Sequence, residues 1–181
     1  MFAFRKAEER DGARLAALAE RTFRDTYGAV NTVENMSRYC AANYGAAIQA
    51  REILDPAVAI LLGEHETELI GFVHLRRGPG PASLGAARPI EIQRFYVTRE
   101  WHGRGVAAQQ MTAALAYAQG AGADQVWLAV WEHNLRARAF YRKAGFTEVG
   151  EQDFLLGADR HRDLVMARPA AMTDARGGKS S

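Results

Sequence analysis

Residues 90–108 read IEIQRFYVTREWHGRGVAA, and the change of character along this stretch decides the fold. Residues 90–97 alternate apolar with polar side chains, the pattern of a half-buried strand. Residues 98–102 are polar, Gly103-Arg104-Gly105 follows, and an alanine-rich segment opens behind it. A strand thus passes through a glycine turn into a helix. Glycine lets backbone approach a ligand closely, and the first N–H groups of a helix lack intrahelical partners. With the helix macrodipole, these features predict a pyrophosphate site over residues 102–107. A G-x-G turn alone is equally an ordinary strand-to-helix turn. A nicotinamide fingerprint fits poorly, since its third glycine would fall on Ala108.

Downstream, a helix is predicted over 105–119, with Ala107, Met111, Ala114, Leu115 and Ala118 on one face and Gly120 and Gly122 ending it. Residues 125–131, QVWLAVW, are apolar on both strand faces, as expected of a strand covered on both sides. A helix over 134–144 follows, capped by Asn134 and ended by Gly145, then strands over 146–156 and 163–166. Upstream, Phe2 and Phe4 mark an opening strand. Helices are expected over 11–26, 32–44 and 46–54, the first stacking Leu15, Leu18 and Thr22, the last stopped by Pro56. Strands over 57–63 and 68–76 form a hairpin around 64–67, and the Gly/Pro/Ala-rich residues 78–89 read as a mobile loop. This order predicts an α+β (mixed α/β) domain. One largely antiparallel sheet carries a parallel strand pair at its middle and is flanked by helices. The domain is expected to fill residues 1–168, with a frayed tail over 169–181.

The 181 residues suit one domain with a full core. A net charge of +2, with basic and acidic residues dispersed, argues against nucleic-acid or membrane-surface binding. No apolar run approaches the roughly 20 residues of a membrane helix, and MFAFRKAEERDG has no signal-peptide pattern, so residence in the cytoplasm is expected. Cys40 is the only cysteine and reads as a structural thiol; the five histidines show no metal-ligand spacing, so no metal is expected.

Residues 131–146, WEHNLRARAFYRKAGF, form a second constellation. Asn134 starts a helix and Tyr141 lies two turns later on the same face. Separately they are an N-cap and a core-edge tyrosine. Together with the glycine turn, in this order and across one central strand, they resemble the GNAT superfamily of acyl-CoA-dependent N-acyltransferases. His102-Gly103-Arg104-Gly105-Val106-Ala107 is similar to that family's Gln/Arg-x-x-Gly-x-Gly/Ala signature, with His102 in place of Gln or Arg. Asn134 and the run from Ala137 to Phe146 match its later motif. The segments TFRDTY (22–27), ENM (34–36), VWLAVWE (126–132) and DLVMA (163–167) further resemble the bacillar polyamine acetyltransferases.

The resemblance implies acetyl-CoA as co-substrate and direct attack of a small-molecule amine on the thioester. Backbone N–H groups of Phe95, Tyr96 and Val97 would meet the acetyl oxygen, residues 102–107 the pyrophosphate and Asn134 the pantetheine. Arg104 and Lys143 are either phosphate contacts or plain surface charge. An alkyl amine, with a pKa of about 10.4, needs a proton acceptor at neutral pH. Glu91 is the expected base, acting through water, with Gln93 on the same strand face. Tyr141 would stabilise the departing thiolate. Tyr27, Trp131 and Phe154 are expected to line the acceptor pocket. The resemblance makes a homodimer one option for its oligomeric state, by analogy alone. The rival readings are a non-catalytic acyl-CoA sensor and an acetyltransferase of peptide amines.

Overall fold

The computed structural model describes the backbone of residues 2–156 and 159–171, and side chains outside 154–161. Seven strands form one sheet: β1 (Phe2–Lys6), β2 (Val58–His65), β3 (Glu68–Arg77), β4 (Ile90–Val97), β5 (Gln125–Trp131), β6 (Thr147–Leu156) and β7 (Asp159–Pro169), in the order β1-β2-β3-β4-β5-β7-β6. All neighbours are antiparallel except β4 and β5. The helices are α1 (Gly12–Tyr27), α2 (Val33–Asn43), α3 (Ala46–Leu54), α4 (Val106–Gly120) and α5 (Leu135–Lys143). The predicted fold class is the observed one. Among the described residues no helix is long and apolar enough to cross a membrane.

Helices cover both faces of the sheet, which is why β2, β3 and β5 are apolar with little alternation. On one face α4 and α5 bury Met111, Ala114, Ala118 and Tyr141 against Ile90, Ile92, Val126, Leu128 and Met166. On the other, α1–α3 bury Leu15, Leu18, Phe23, Met36 and Cys40 against Ile60, Leu62 and Phe72. The α4 face contains a polar member that its apolar spacing did not reveal. Gln110 is fully buried and donates to the carbonyls of Phe72 and Tyr96, tying α4 to β3 and β4.

Two expectations need correction. Residues 78–89 are an anchored cover, not a loose loop. A short 3-10 turn buries Leu84 against Trp127, Val165 and Ala167, and Asp124 accepts from the N–H groups of Ala87 and Arg88 at 2.8 and 3.0 Å. The chain also does not fray at Pro169, which ends β7. Ala170 is buried and donates its N–H to Asp124 at 3.1 Å. Residues 172–181 lie outside the described part.

Candidate active site

The site begins where the sheet splits. β4 and β5 pair only at Ile90 with Val126 and Glu91 with Trp127, then part. Against β3 the register passes from Leu75–Ile92 to His74–Arg94, so Gln93 is an extra residue, a β-bulge. The bulge shifts the side-chain alternation. Ile90, Ile92 and Phe95 face α4 and α5, while Arg94 and Tyr96 face the α1–α3 side with Tyr44, Tyr27 and Phe72. The shift falls after Gln93, which borders the same cavity as Glu91, as expected of two residues on one strand face. Gln93 is exposed where the strands separate, and beyond it the edge of β4 facing β5 is open.

One cavity, about 290 Å3, fills the split on the α4–α5 side. It is lined by Phe95, Tyr96, Val97, His102, Ala107, Asn134 and Tyr141, seven of the residues expected to hold acetyl-CoA. Gly103 and Gly105 have φ of 76° and 81°, a region that favours glycine, and a Cβ on either would meet nothing within 4 Å. The turn is thus open toward ligand. Gly105 is the N-cap of α4 and offers no capping side chain, so the first-turn N–H groups, from Val106 and Ala107 on, remain for an anion. These features fit a pyrophosphate. His102 plays a different part. Its Nε2 lies 2.8 Å from the Val97 carbonyl oxygen and its own N–H donates to Arg99, so both brace the turn. The Arg104 guanidinium sits over the Trp101 ring at 5.1 Å. Asn134 combines the two sequence readings: Oδ1 accepts from Ala137 N–H as a helix cap, leaving Nδ2 to donate into the cavity. Tyr141 is buried between Phe95, Phe140 and Phe146, and burial pushes its hydroxyl well above the usual tyrosine range. It stays protonated, a hydrogen-bond donor rather than a ready acid.

The second cavity, about 280 Å3, opens on the opposite face, between α1–α2 and strands β4, β5, β6 and β7. Phe23, Tyr27, Tyr39, Tyr96 and Trp131 supply aromatic walls, and Glu91 and Asp163 supply carboxylates. Tyr27, Ile92, Gln93, Arg94, Tyr96 and Ala129 line both cavities, so the two meet at the bulge. Burial raises the Glu91 carboxyl above the usual carboxylate value, opposed by Arg76 and Arg94. Glu91 is the last β4 residue paired with β5 and borders the second cavity. Burial and the Asp163 charge push Tyr27 up to about 12, with the neighbouring Tyr96 opposing the rise. Arg94 is engaged elsewhere: it forks onto Glu52 at 2.7 and 3.1 Å and meets His74 Nδ1 at 3.1 Å. Burial, with Arg94 and Arg76, lowers His74 to about 3, so it is neutral. Of the expected acceptor residues, Tyr27 and Trp131 line this cavity. Phe154 lies on β6, with its side chain outside the described residues. Tyr44 is buried behind the wall, under Arg94. Among the described residues no three His, Cys, Asp or Glu are grouped to hold a metal ion.

Residues 12–146 match the profile of the Acetyltransferase (GNAT) family. The chain belongs to that family. As a GNAT acetyltransferase it takes acetyl-CoA as co-substrate. It is 37% identical over 158 residues to an uncharacterized N-acetyltransferase of Mycobacterium tuberculosis, covering 87% of this chain and 97% of the relative. A shorter likeness, 24% over 91 residues, links it to the spermine/spermidine N(1)-acetyltransferase of Bacillus subtilis, covering 50% of this chain and 60% of that one. The fold is shared with the PaiA N-acetyltransferase of Thermoplasma acidophilum, a structure in complex with coenzyme A. The TM-score is 0.75 at 21% identity, over 93% of this chain and 99% of that one.

Within this GNAT domain the first cavity is lined by seven of the eleven residues expected to hold acetyl-CoA, whereas the second adds several that the motifs did not name. Asn31, Tyr39 and Gln152 lie in no motif and Asp163 only within the DLVMA segment; they converge from α2, the turn before it and two distant strands. Only the β5–β7–β6 pairing brings Trp131, Asp163 and Gln152 into one row. The apolar alternation of 163–167 could have flagged Asp163, which breaks it on the face shared with Val165.

Proposed function

We propose that this GNAT protein acetylates a primary amine of a small cationic molecule, a polyamine being the favoured class, by direct attack within a ternary complex. The observation that carries this reading is the meeting of the two cavities at the Gln93 bulge. A glycine-turn anion site closes one, and an aromatic, carboxylate-bearing pocket forms the other. A pocket of aromatic rings that also bears carboxylates suits an ammonium. The partial likeness to a spermine/spermidine acetyltransferase points the same way.

Acetyl-CoA supplies an activated acetyl group as a thioester. The open β4 edge around residues 95–97 presents N–H donors for the acetyl oxygen, fixed before reaction and therefore effective against developing charge. Val106 and Ala107 N–H groups hold the pyrophosphate, and Asn134 Nδ2 the pantetheine. Glu91 takes the proton of the incoming amine through water. Its raised pKa brings it nearer the working pH, where a general base is most effective. Tyr141 donates a hydrogen bond to the departing sulfur. A thiol titrates near 8.5, far below the raised Tyr141, so full proton transfer from the phenol is uphill and hydrogen bonding is its role.

The test is release of CoA from acetyl-CoA across polyamines, amino acids, aminoglycosides and peptides. Turnover should be greatest with polyamines. Preferred turnover of peptides would favour the protein-amine rival, and CoA binding without transfer to any amine would favour the sensor.

A further inference from the structure

Arg94 is the first β4 residue after the bulge and borders both cavities, so it stands at their junction. Its side chain is 11% exposed. The guanidinium lies over the Tyr44 ring at 5.2 Å, and its charge reaches Glu91 and Tyr39, both on the acceptor wall. An uncompensated cation at this point would repel an incoming ammonium and attract a carboxylate. Glu52 of α3 compensates it. Glu52 itself lines neither cavity; it reaches Arg94 from behind the wall and takes its fork at 2.7 and 3.1 Å. His74, in register with Arg94 on β3, lies with Nδ1 3.1 Å from Nη1 of Arg94. A guanidinium only donates, so Nδ1 accepts, and the neutral ring orients Arg94 without altering the charge. Among the described residues Glu52 is the one acid paired with Arg94.

We infer that Glu52 is a positioning residue that sets which charge the acceptor carries. By engaging Arg94 it keeps the guanidinium from capturing an acceptor carboxylate, and the site stays open to amines with neutral or cationic tails. This rests on the acetyl-transfer reading above and adds the residue that excludes acidic acceptors. Replacing Glu52 by a neutral residue of the same shape leaves Arg94 partly buried without a counter-ion. A carboxylate entering the cavity then becomes its partner, through the paired hydrogen bonds that a guanidinium makes best. Arg94 makes no bond to the reacting atoms, so the effect belongs in substrate binding and not in turnover.

The experiment compares ω-amino acids with their primary amides, matched in length and shape and differing in the charge of the tail. The proteins are wild type, Glu52→Gln, Glu52→Asp and the double variant Glu52→Gln/Arg94→Gln. Melting temperature with and without CoA verifies that each variant folds and binds the co-substrate. Wild type should use the amides at least as well as the acids. Glu52→Gln should shift the ratio of kcat/KM toward the acids by about tenfold, through KM. Glu52→Asp should stay near wild type, and the double variant, which has no guanidinium, should lose the shift. An unmoved ratio in Glu52→Gln, a shift retained in the double variant, or a wild type that prefers the acids overturns the inference while leaving acetyl transfer standing. Should Glu52→Gln not fold, Arg94→Gln makes the test from the other side. Glu52 is then uncompensated and the ratio should move toward the amides; an unmoved ratio overturns the inference. Failure to acetylate any amine would remove the acetyl-transfer reading itself, and this inference with it.

Discussion

The two cavities are built differently. The cofactor cleft is made mostly of backbone: an open strand edge, two glycines with positive φ and the uncapped start of α4. Backbone groups are supplied by any sequence that folds this way, so the cleft depends on few side chains, chiefly Asn134 and Tyr141. The acceptor cavity is made of side chains from α1, α2, β4, β5, β6 and β7. Its chemistry changes with each substitution.

The contrast is broken most severely at Gly105. Gly105→Asp forces an L-residue into φ near 81° and places a carboxylate where phosphate is to sit. CoA should no longer raise the melting temperature; Gly105→Ala, with strain but no charge, should keep part of the shift. An undiminished CoA shift in Gly105→Asp would move the pyrophosphate elsewhere. Next in size is Tyr141→Phe. The hydroxyl acts as charge develops on sulfur, so kcat should fall by about tenfold to a thousandfold while KM for acetyl-CoA changes little. Unchanged kcat would make Tyr141 a packing residue among Phe95, Phe140 and Phe146. The smallest effect on catalysis is expected far from both cavities. Arg5 bridges Asp11 at 2.7 Å and Glu64 at 2.9 Å, and this holds the Asp11 carboxyl at about 2, from 3.8. A depressed folded-state pKa stabilises above the unfolded value, and the gain is lost as pH falls from 3.8 toward 2. Asp11→Asn should cost on the order of 1–2 kcal/mol near neutrality, less than the shift alone suggests because Arg5 is a third exposed. The difference from wild type should vanish in acid, with kcat unaffected. Denaturant midpoints across pH measure it.

Legibility followed the same division. The stretch 90–108 and the Asn134–Tyr141 pair announced the cleft because turn chemistry and helix starts are local properties. The bulge was invisible. IEIQRFYV alternates well enough to pass as a regular strand, and only the β3 register exposes Gln93 as extra. The loop over 78–89 looked loose by composition, yet Leu84 and the distant Asp124 hold it down. Gln110 was not among the residues read onto the buried face of α4, because nothing local marks the carbonyls it satisfies. Asp163 and Tyr39 became acceptor residues through strand order and helix packing, both non-local.

The measurement nearest the centre of the account is the pH dependence of kcat and amine KM for wild type and Glu91→Gln. Glu91 is a half-buried carboxylate on the wall of the second cavity, and Gln keeps its shape while removing the proton acceptor. Glu91→Gln should bind acetyl-CoA normally and lose about a hundredfold or more in kcat at neutral pH. Its activity should recover as pH rises toward the amine's own pKa of about 10.4, where free base no longer needs an acceptor. A wild-type kcat profile in Glu91→Gln, or a loss confined to amine KM, would contradict the assignment of Glu91 as the base.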